Sequence, residues 1–361
     1  MNPSVIFLQN RTHRAGAQTC LARLLRHEAM QRWNPVLVCS YGGWLADECR
    51  RIGVRVIEEN FPSSRSLPGR LYGNAAFARR VAAKLGMRPA IVQANDHQEG
   101  LLGLELGNRL GARTAIFLRS PTMNRDDYFK YHCDRYDFVS AVGDEFRARA
   151  QAWEPGREIA LIRDGIYADE ILPLKPKPER PPSRVLVIGS PLAWKGWADL
   201  TEALHLLERA GVLPPMRFDF TGTRPAPSEN DLKLDRLAAA NCNFLGRVEA
   251  FRDLVRSYDL VINPSRMETF GMAAIEVLAA GVPLLSSRTG VIEQVQEQSD
   301  MLFAPGHPAA LASALKNVGE RWIDMDFGVA RAQENIRRSL LIDHAAARLN
   351  EGYQRLVPRA G

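Results

Sequence analysis

Short apolar runs recur along this chain at intervals filled by longer amphipathic stretches. Residues 5–8, 36–39, 54–57, 90–93, 114–118, 138–141 and 159–162 each read as a buried strand, and most of them are rich in β-branched residues. Between most of them lie helical stretches: one from the end of the loop 9–19 to about residue 33, then 71–85, 101–110 and 143–153. Strands alternating with helices at this spacing predict βαβ units and a parallel, doubly wound sheet. The alternation pauses at residues 173–182, where five prolines fall in ten positions, so a semi-rigid linker is expected there. It then resumes with a strand at 184–188, a helix at 197–210, a strand at 218–220 and a strand–loop–helix–turn–strand unit over 258–286. A short helix at 308–318 and a helical stretch over 326–357 end the chain. The expected division is an α/β domain at 1–172, a linker at 173–183 and a second α/β domain at 184–340, with 341–361 set apart as a final helix.

Composition supports two domains of ordinary size in 361 residues, with 46% hydrophobic and 24% charged positions. The net charge of +6 is unevenly spread, because Arg11, Arg14, Arg23, Arg26, Arg50, Arg51, Arg55, Arg65, Arg70, Arg79 and Arg80 all precede residue 160. Such a half suits an anionic membrane surface, a charged acceptor or nucleic acid, and an arginine-rich surface without a partner accounts for it equally well. Cys20, Cys39, Cys49, Cys133 and Cys242 form no CxxC pair and no zinc spacing, which points to reduced thiols in a cytoplasmic protein. No run has the length of a signal peptide or a membrane span, so any membrane contact is expected to be peripheral.

The stretch from Tyr258 to Ser286 carries the densest chemistry. Pro264 interrupts a strand, and Gly271 precedes a run of strong helix formers that stops at Gly281 and Pro283. A helix start behind a glycine presents unpaired N–H groups and the positive end of the helix dipole, a seat for phosphate. Glu268 lies in the loop before that start and Glu276 about one turn into the helix, so both flank the seat. Carboxylates repel phosphate and accept from hydroxyls, a combination that fits a diphosphate with a sugar at either end. Two glutamates eight residues apart beside a strand–loop–helix junction also arise by chance. In the first half, the loop with His13, Arg14 and Gly16 feeds a helix start, and Asn95-Asp96-His97, Arg119 and Arg163-Asp164-Gly165-Ile166 follow strands, where parallel sheets bind ligands. An Asp96-His97 pair at a strand end also fits a helix cap.

Pro264-Ser265 through Glu268 and Glu276, then Ala279-Ala280-Gly281-Val282-Pro283 and Thr289-Gly290 to Glu293, closely resemble the signature of retaining GT-B glycosyltransferases of family 4. The resemblance covers nearly the whole chain and is strongest from Arg184 to Pro305. It implies two Rossmann-like domains facing each other across a cleft, a nucleotide-sugar donor linked to UDP or GDP, a glycan or lipid-linked acceptor, and no metal. Lys195-Gly196 matches the KG element whose lysine neutralises the donor diphosphate, whereas Ser190 stands where that family has an arginine, leaving Arg266 or an arginine of the first domain to compensate. By the same resemblance Glu268 lies near the donor sugar and diphosphate, Glu276 accepts from ribose hydroxyls, and Phe270, Gly271 and Met272 line the phosphate seat. Gly246-Arg247 falls at the segment that contacts the base, Gly16 closes over the donor from the first domain, and Arg119 stands where a histidine usually approaches the reacting sugar, with Asp96 and His97 as partial substitutes. Ala15 replaces the first of two usual loop glycines. The final helix of GT-B proteins often crosses back onto the first domain.

Other classes fit less well. Asp324-Met325-Asp326 has the spacing of a metal-binding DxD but no preceding strand, and reads as a solvated helix start. No P-loop and no dinucleotide-binding GxGxxG is present. A hydrolase using Glu268 and Glu276, a sugar-nucleotide-binding subunit without transfer activity, and a glycosyltransferase acting on nucleic acid are the remaining alternatives, the last disfavoured.

Overall fold

The computed structural model describes residues 3–62, 72–224 and 242–357. Arg65, Arg70 and the first residue of the expected helix 71–85 lie outside them. The chain divides into two compact units, Met1–Ile166 with Leu340–Gly361, and Tyr167–Ser339.

In the first unit the order is β1 (Val5–Leu8), α1 (Gly16–Arg26), α2 (Glu28–Gln31), β2 (Val36–Cys39), α3 (Trp44–Arg51), β3 (Arg55–Glu58), α4 (Asn74–Leu85), β4 (Ile91–Ala94), α5 (Gly100–Leu110), β5 (Arg113–Leu118), α6 (Arg125–Lys130), β6 (Phe138–Ala141), α7 (Asp144–Trp153) and β7 (Ala160–Leu161). Among the described residues the strands form one parallel sheet in the order β3-β2-β1-β4-β5-β6-β7. Every residue of β1, β2 and β4 is buried, as a strand covered on both faces requires, and this explains their apolar runs, which Gln93 alone interrupts.

The second unit holds β8 (Arg184–Val187), α8 (Trp197–Arg209), β9 (Arg217–Phe220), β10 (Cys242–Phe244), α9 (Phe251–Arg256), β11 (Leu260–Asn263), α10 (Met272–Ala279), β12 (Leu284–Ser287), α11 (Ile292–Val295), β13 (Leu302–Phe303), α12 (Pro308–Arg321) and α13 (Val329–Ser339). Its sheet is also parallel, in the order β10-β9-β8-β11-β12-β13. Strand order reverses between β1 and β4 in the first sheet and between β8 and β11 in the second. Connections leave those neighbours in opposite directions, which opens a crevice at their carboxyl ends.

Four expectations change. The helix expected to run to about residue 33 breaks at His27, whose extended backbone (ψ 136°) frees its ring to accept from the Ala29 amide at 3.2 Å and cap α2. The stretch 326–357 is two helices, α13 and α14 (Ile342–Leu356), because Leu341 is taken up in a parallel bridge with Ile166. Asp326 precedes α13 in a turn, where its carboxylate accepts from the Gly328 amide at 2.9 Å. The proline-rich run is part of the second unit and not a linker: Lys177 donates to the carbonyls of Trp322 and Ile323, and the Trp322 indole donates to the Pro178 carbonyl at 3.0 Å. Prolines keep it extended, and its carbonyls and lysines supply the bonds that ladder amides otherwise make. The change between units falls instead after Ile166. Strands β10 and β13, three and two residues long, are too short for an apolar pattern to announce them.

Helix α14 belongs to the first unit although it ends the chain. Tyr353 is fully buried and donates to the Gln93 side chain of β4 at 3.1 Å, Trp33 meets the Tyr353 ring edge-on at 5.3 Å, and the indole of Trp33 donates to Asn350 at 2.9 Å.

In the second unit Gly281 adopts a left-handed conformation (φ +77°), and a Cβ there would come within 2.5 Å of the Pro173 carbonyl. Gly281→Ala is therefore expected to destabilise the protein by about 2 kcal/mol or more, read as a lowered urea midpoint with unchanged slope.

Candidate functional site

In the second unit the loops after β8 and β11 meet at the switch point. The first ends in a short 3-10 turn, Ala193–Lys195, and Gly196 turns it into α8 with φ +68°. A Cβ at Gly196 would overlap the Pro264 carbonyl, so only glycine lets this loop lie against the end of β11. Lys195 thereby reaches across, its Nζ 2.6 Å from Glu268 Oε1. The Ser265 hydroxyl lies 2.8 Å from the same carboxylate oxygen and 2.9 Å from Asn263 Oδ1, so its single hydrogen is shared between two acceptors. Asn263 is held in turn by Ser286 at 3.2 Å. These buried side chains fix the Glu268 carboxylate while leaving it and Lys195 partly open to solvent, at 15% and 22% side-chain exposure.

Helix α10 begins beside this pair. Gly271, at φ +92°, supplies no side-chain cap, and the first turn carries no acid, so its leading amides are available to an anion. The loop that sets this start is braced by Gly290, whose left-handed turn (φ +63°) packs against the Phe270 carbonyl too closely for any Cβ. Phe270 and Met272 are buried, and Glu276 is half-buried on the second turn. Ser190 follows Gly189 (φ +128°) on the β8 side and accepts from the Leu192 amide at 2.7 Å. Arg266 does not supply the charge that Ser190 lacks: its guanidinium is held on both oxygens of the buried Asp199 carboxylate, at 2.7 and 2.6 Å. Arg247 is exposed, one residue beyond the bridge between Gly222 and Gly246.

The first unit gathers a second group of polar side chains at its own switch point. Asp96 caps the turn after β4, accepting from the His97 amide at 2.8 Å and from His97 Nδ1 at 2.9 Å, so the expected pair and the expected cap are one arrangement. Burial pulls the His97 imidazole down, but the hydrogen bond and charge of Asp96 outweigh it and leave its pKa raised. Arg119, at the end of β5, is buried at 7% exposure and binds both oxygens of Asp164 at 2.8 and 2.7 Å. The arginine that stands where the family has a histidine is thus paired with Asp164. Gly16 starts α1 with no side-chain cap and no acid in the first turn, in open space.

Three side chains were missing from the sequence-based site. Ser265 and Asn263 escape because their role is to hold another residue. Glu99 escapes because it carries no spacing signal: it ends the 3-10 turn His97–Glu99 just before α5, 4% exposed, and only the tertiary structure brings its Oε1 within 3.1 Å of the Asn10 amide beyond β1. Burial, then the charge of Asp96, push its carboxyl up to about 7, against the opposing pull of the Asn10 amide and His97.

Residues 182–320 match the family model of glycosyl transferases group 1. Glycogen synthase of Mycobacterium tuberculosis is 29% identical over 165 residues, 45% of this chain and 40% of that protein. The GDP-mannose-dependent alpha-(1-6)-phosphatidylinositol dimannoside mannosyltransferase of the same species is 31% identical over 120 residues, 33% of this chain and 31% of that protein. The chain thus aligns with less than half the length of these curated relatives. Among solved structures, Anabaena Alr3699/HepE in complex with UDP and glucose superposes with a TM-score of 0.79 at 16% identity, covering 97% of this chain and 99% of that one. The fold, two parallel-sheet α/β units, is that of the GT-B glycosyltransferases.

Glu99 ties stability to pH. A carboxyl whose pKa rises from 4.5 to about 7 on folding keeps its proton in the native state after the unfolded chain has lost it, so stability falls as pH rises through that window. At about 1.4 kcal/mol per tenfold change in proton affinity, the loss approaches about 3 kcal/mol. The raised imidazole of His97 acts in the same direction, its contribution disappearing as pH rises through its folded pKa. Urea titrations of the wild type between pH 5 and pH 8, taken as about those values, are expected to show this decline, and Glu99→Gln is expected to flatten most of it.

Proposed function

We propose that this chain is a retaining, metal-independent glycosyltransferase that moves a hexose from a UDP- or GDP-linked sugar to a glycan or lipid-linked acceptor. The observation that carries the proposal is the Lys195–Glu268 pair, 2.6 Å apart and held beside the uncapped start of α10. A diphosphate on the Gly271 and Met272 amides meets Lys195, which takes up negative charge as the bond to the sugar breaks. Glu268 accepts from the sugar's hydroxyls, with its carboxylate oriented by Ser265, and Glu276 accepts from the ribose. Gly196 lets the loop carrying Lys195 approach, Ser190 borders it, and Arg247 is assigned to the base.

The acceptor belongs to the first unit in this proposal. Asp96 and His97 form a hydrogen-bonded pair at the end of β4, and Arg119, neutralised by Asp164, acts as a positioning residue more than as a free cation. The acceptor hydroxyl attacks the anomeric carbon on the face from which the diphosphate departs and loses its proton to the departing phosphate, so the anomeric configuration is retained. The names of the two Mycobacterium relatives span a polymeric glycan and a lipid-linked acceptor, which supports that acceptor class. Among the described residues no helix is long and apolar enough to cross a membrane, so a lipid-linked acceptor would be reached from the membrane surface.

A second reading, a sugar-nucleotide-binding subunit without transfer activity, is favoured by one observation: Arg266 is committed to Asp199 and does not replace the charge missing at Ser190, which leaves that role to an arginine of the first unit.

Thermal shift against UDP, GDP and ADP, with and without EDTA, tests the donor site without knowledge of the acceptor, since a ligand at a hundred times its Kd adds about 2.7 kcal/mol to stability. One nucleotide family is expected to raise the Tm with no effect of EDTA. Lys195→Ala and Glu268→Ala are expected to keep the native circular dichroism and lower transfer by about a hundredfold or more. Wild-type activity in either variant would sink the site, EDTA sensitivity would sink metal independence, and a selective shift without transfer to any glycan or lipid-linked acceptor would leave the second reading.

A further inference from the structure

Two ion pairs of opposite sense join the loops that form the candidate donor seat of the second unit. The segment after β8 carries Lys195 and, in the first turn of α8, Asp199; the loop after β11 carries Arg266 and Glu268. Each segment thus holds one cation and one anion, and each charge pairs with the other segment. Lys195 Nζ lies 2.6 Å from Glu268, and the Arg266 guanidinium binds both Asp199 oxygens at 2.7 and 2.6 Å. Between the two pairs the Arg266 amide donates to the Trp194 carbonyl at 2.8 Å. The pairs differ in kind. Lys195 and Glu268 make one contact between partly open groups, whereas the Asp199 side chain is 5% exposed and meets a planar guanidinium through two bonds, the more rigid geometry.

We infer that Asp199 is a positioning residue, whose clasp on Arg266 keeps the two loops in register when a nucleotide diphosphate draws Lys195 away from Glu268. The inference rests on the donor site proposed above and adds a role for a residue that touches no ligand. In the free protein both pairs and the backbone bond hold the loops together. A diphosphate on the α10 amides competes for Lys195 and repels Glu268, so the first pair loosens as the ligand binds. Drawing Arg266 away as well would strand a buried carboxylate, so the clasp resists a competing phosphate. It therefore matters more to the liganded protein than to the free one, and its loss weakens nucleotide binding even where the fold survives. A bond that only stabilised the fold would favour both forms equally and leave affinity unchanged.

The test is calorimetric titration of the full chain with UDP and with GDP, with circular dichroism to establish that each variant is folded. Removing Asp199 releases a half-exposed guanidinium to water, whereas removing Arg266 leaves a carboxylate buried alone, so the substitutions are made at Asp199. Asp199→Ala is expected to weaken the preferred nucleotide about tenfold, and Asp199→Asn, which keeps one acceptor oxygen, about threefold. In a Glu268→Ala background no pair is left to be lost on binding, and there the same substitutions are expected to change affinity by less than about twofold, a non-additive cycle. If Asp199→Ala fails to fold, Asp199→Asn in the two backgrounds decides. Unchanged affinity in the Asp199 variants, or an equal loss in both backgrounds, overturns the inference. So does tighter binding, which would show the released Arg266 reaching the diphosphate. Binding of neither nucleotide by the wild type removes the donor site and this role with it, whereas wild-type binding untouched by the Asp199 substitutions removes the role alone.

Discussion

Parallel strands whose connections leave in opposite directions uncover their own carboxyl ends, and both units are organised around that gap. Their central strands are buried, so chemistry is excluded from the interior and pushed into the loops that follow β1 and β4 in one unit and β8 and β11 in the other. In the second unit the gap is closed by backbone, with Gly196 lying against Pro264 and Gly290 against Phe270. In the first it is bridged by a side chain, with Glu99 accepting from Asn10 across the gap between β1 and β4.

The two gaps differ in their electrostatics. Around α10 an ion pair is partly open to solvent and a helix start is left uncapped, so charge is available to a charged ligand. Around β4 the charges are buried and matched among themselves, Asp96 with His97 and Arg119 with Asp164. A phosphate-bearing ligand suits the first environment better than the second, because a buried cation already neutralised by a buried carboxylate has little field left to offer.

Much of the fold was legible in the residues. Buried parallel strands are largely apolar, so runs such as Val5–Leu8 and residues 260–262 announce themselves, and Gly271 with Gly281 brackets α10. Legibility failed where tertiary contacts override local pattern. The proline run has the composition of a linker, yet Lys177, Pro178 and Trp322 fasten it to the second unit; residues 326–357 have helical periodicity throughout, yet Leu341 leaves the helix to pair with Ile166. For the candidate site, Glu268, Asp96 and His97 could be singled out by type and loop position and Lys195 only by its resemblance to the KG element, while Ser265, Asn263 and Glu99 could not, since holding a carboxylate or bridging two loops leaves no mark on spacing.

By itself the sequence determined most of the strands, the longer helices and which loops carry charge, because those properties depend on neighbours within a few residues. Only the tertiary structure decided which charges meet: that Lys195 finds Glu268 73 positions away, that Arg266 goes to Asp199, that Arg119 and Asp164 neutralise each other, and that the last helix joins the first unit. Coulombic and hydrogen-bond energies depend on distance and burial in space, and neither is a function of separation along the chain.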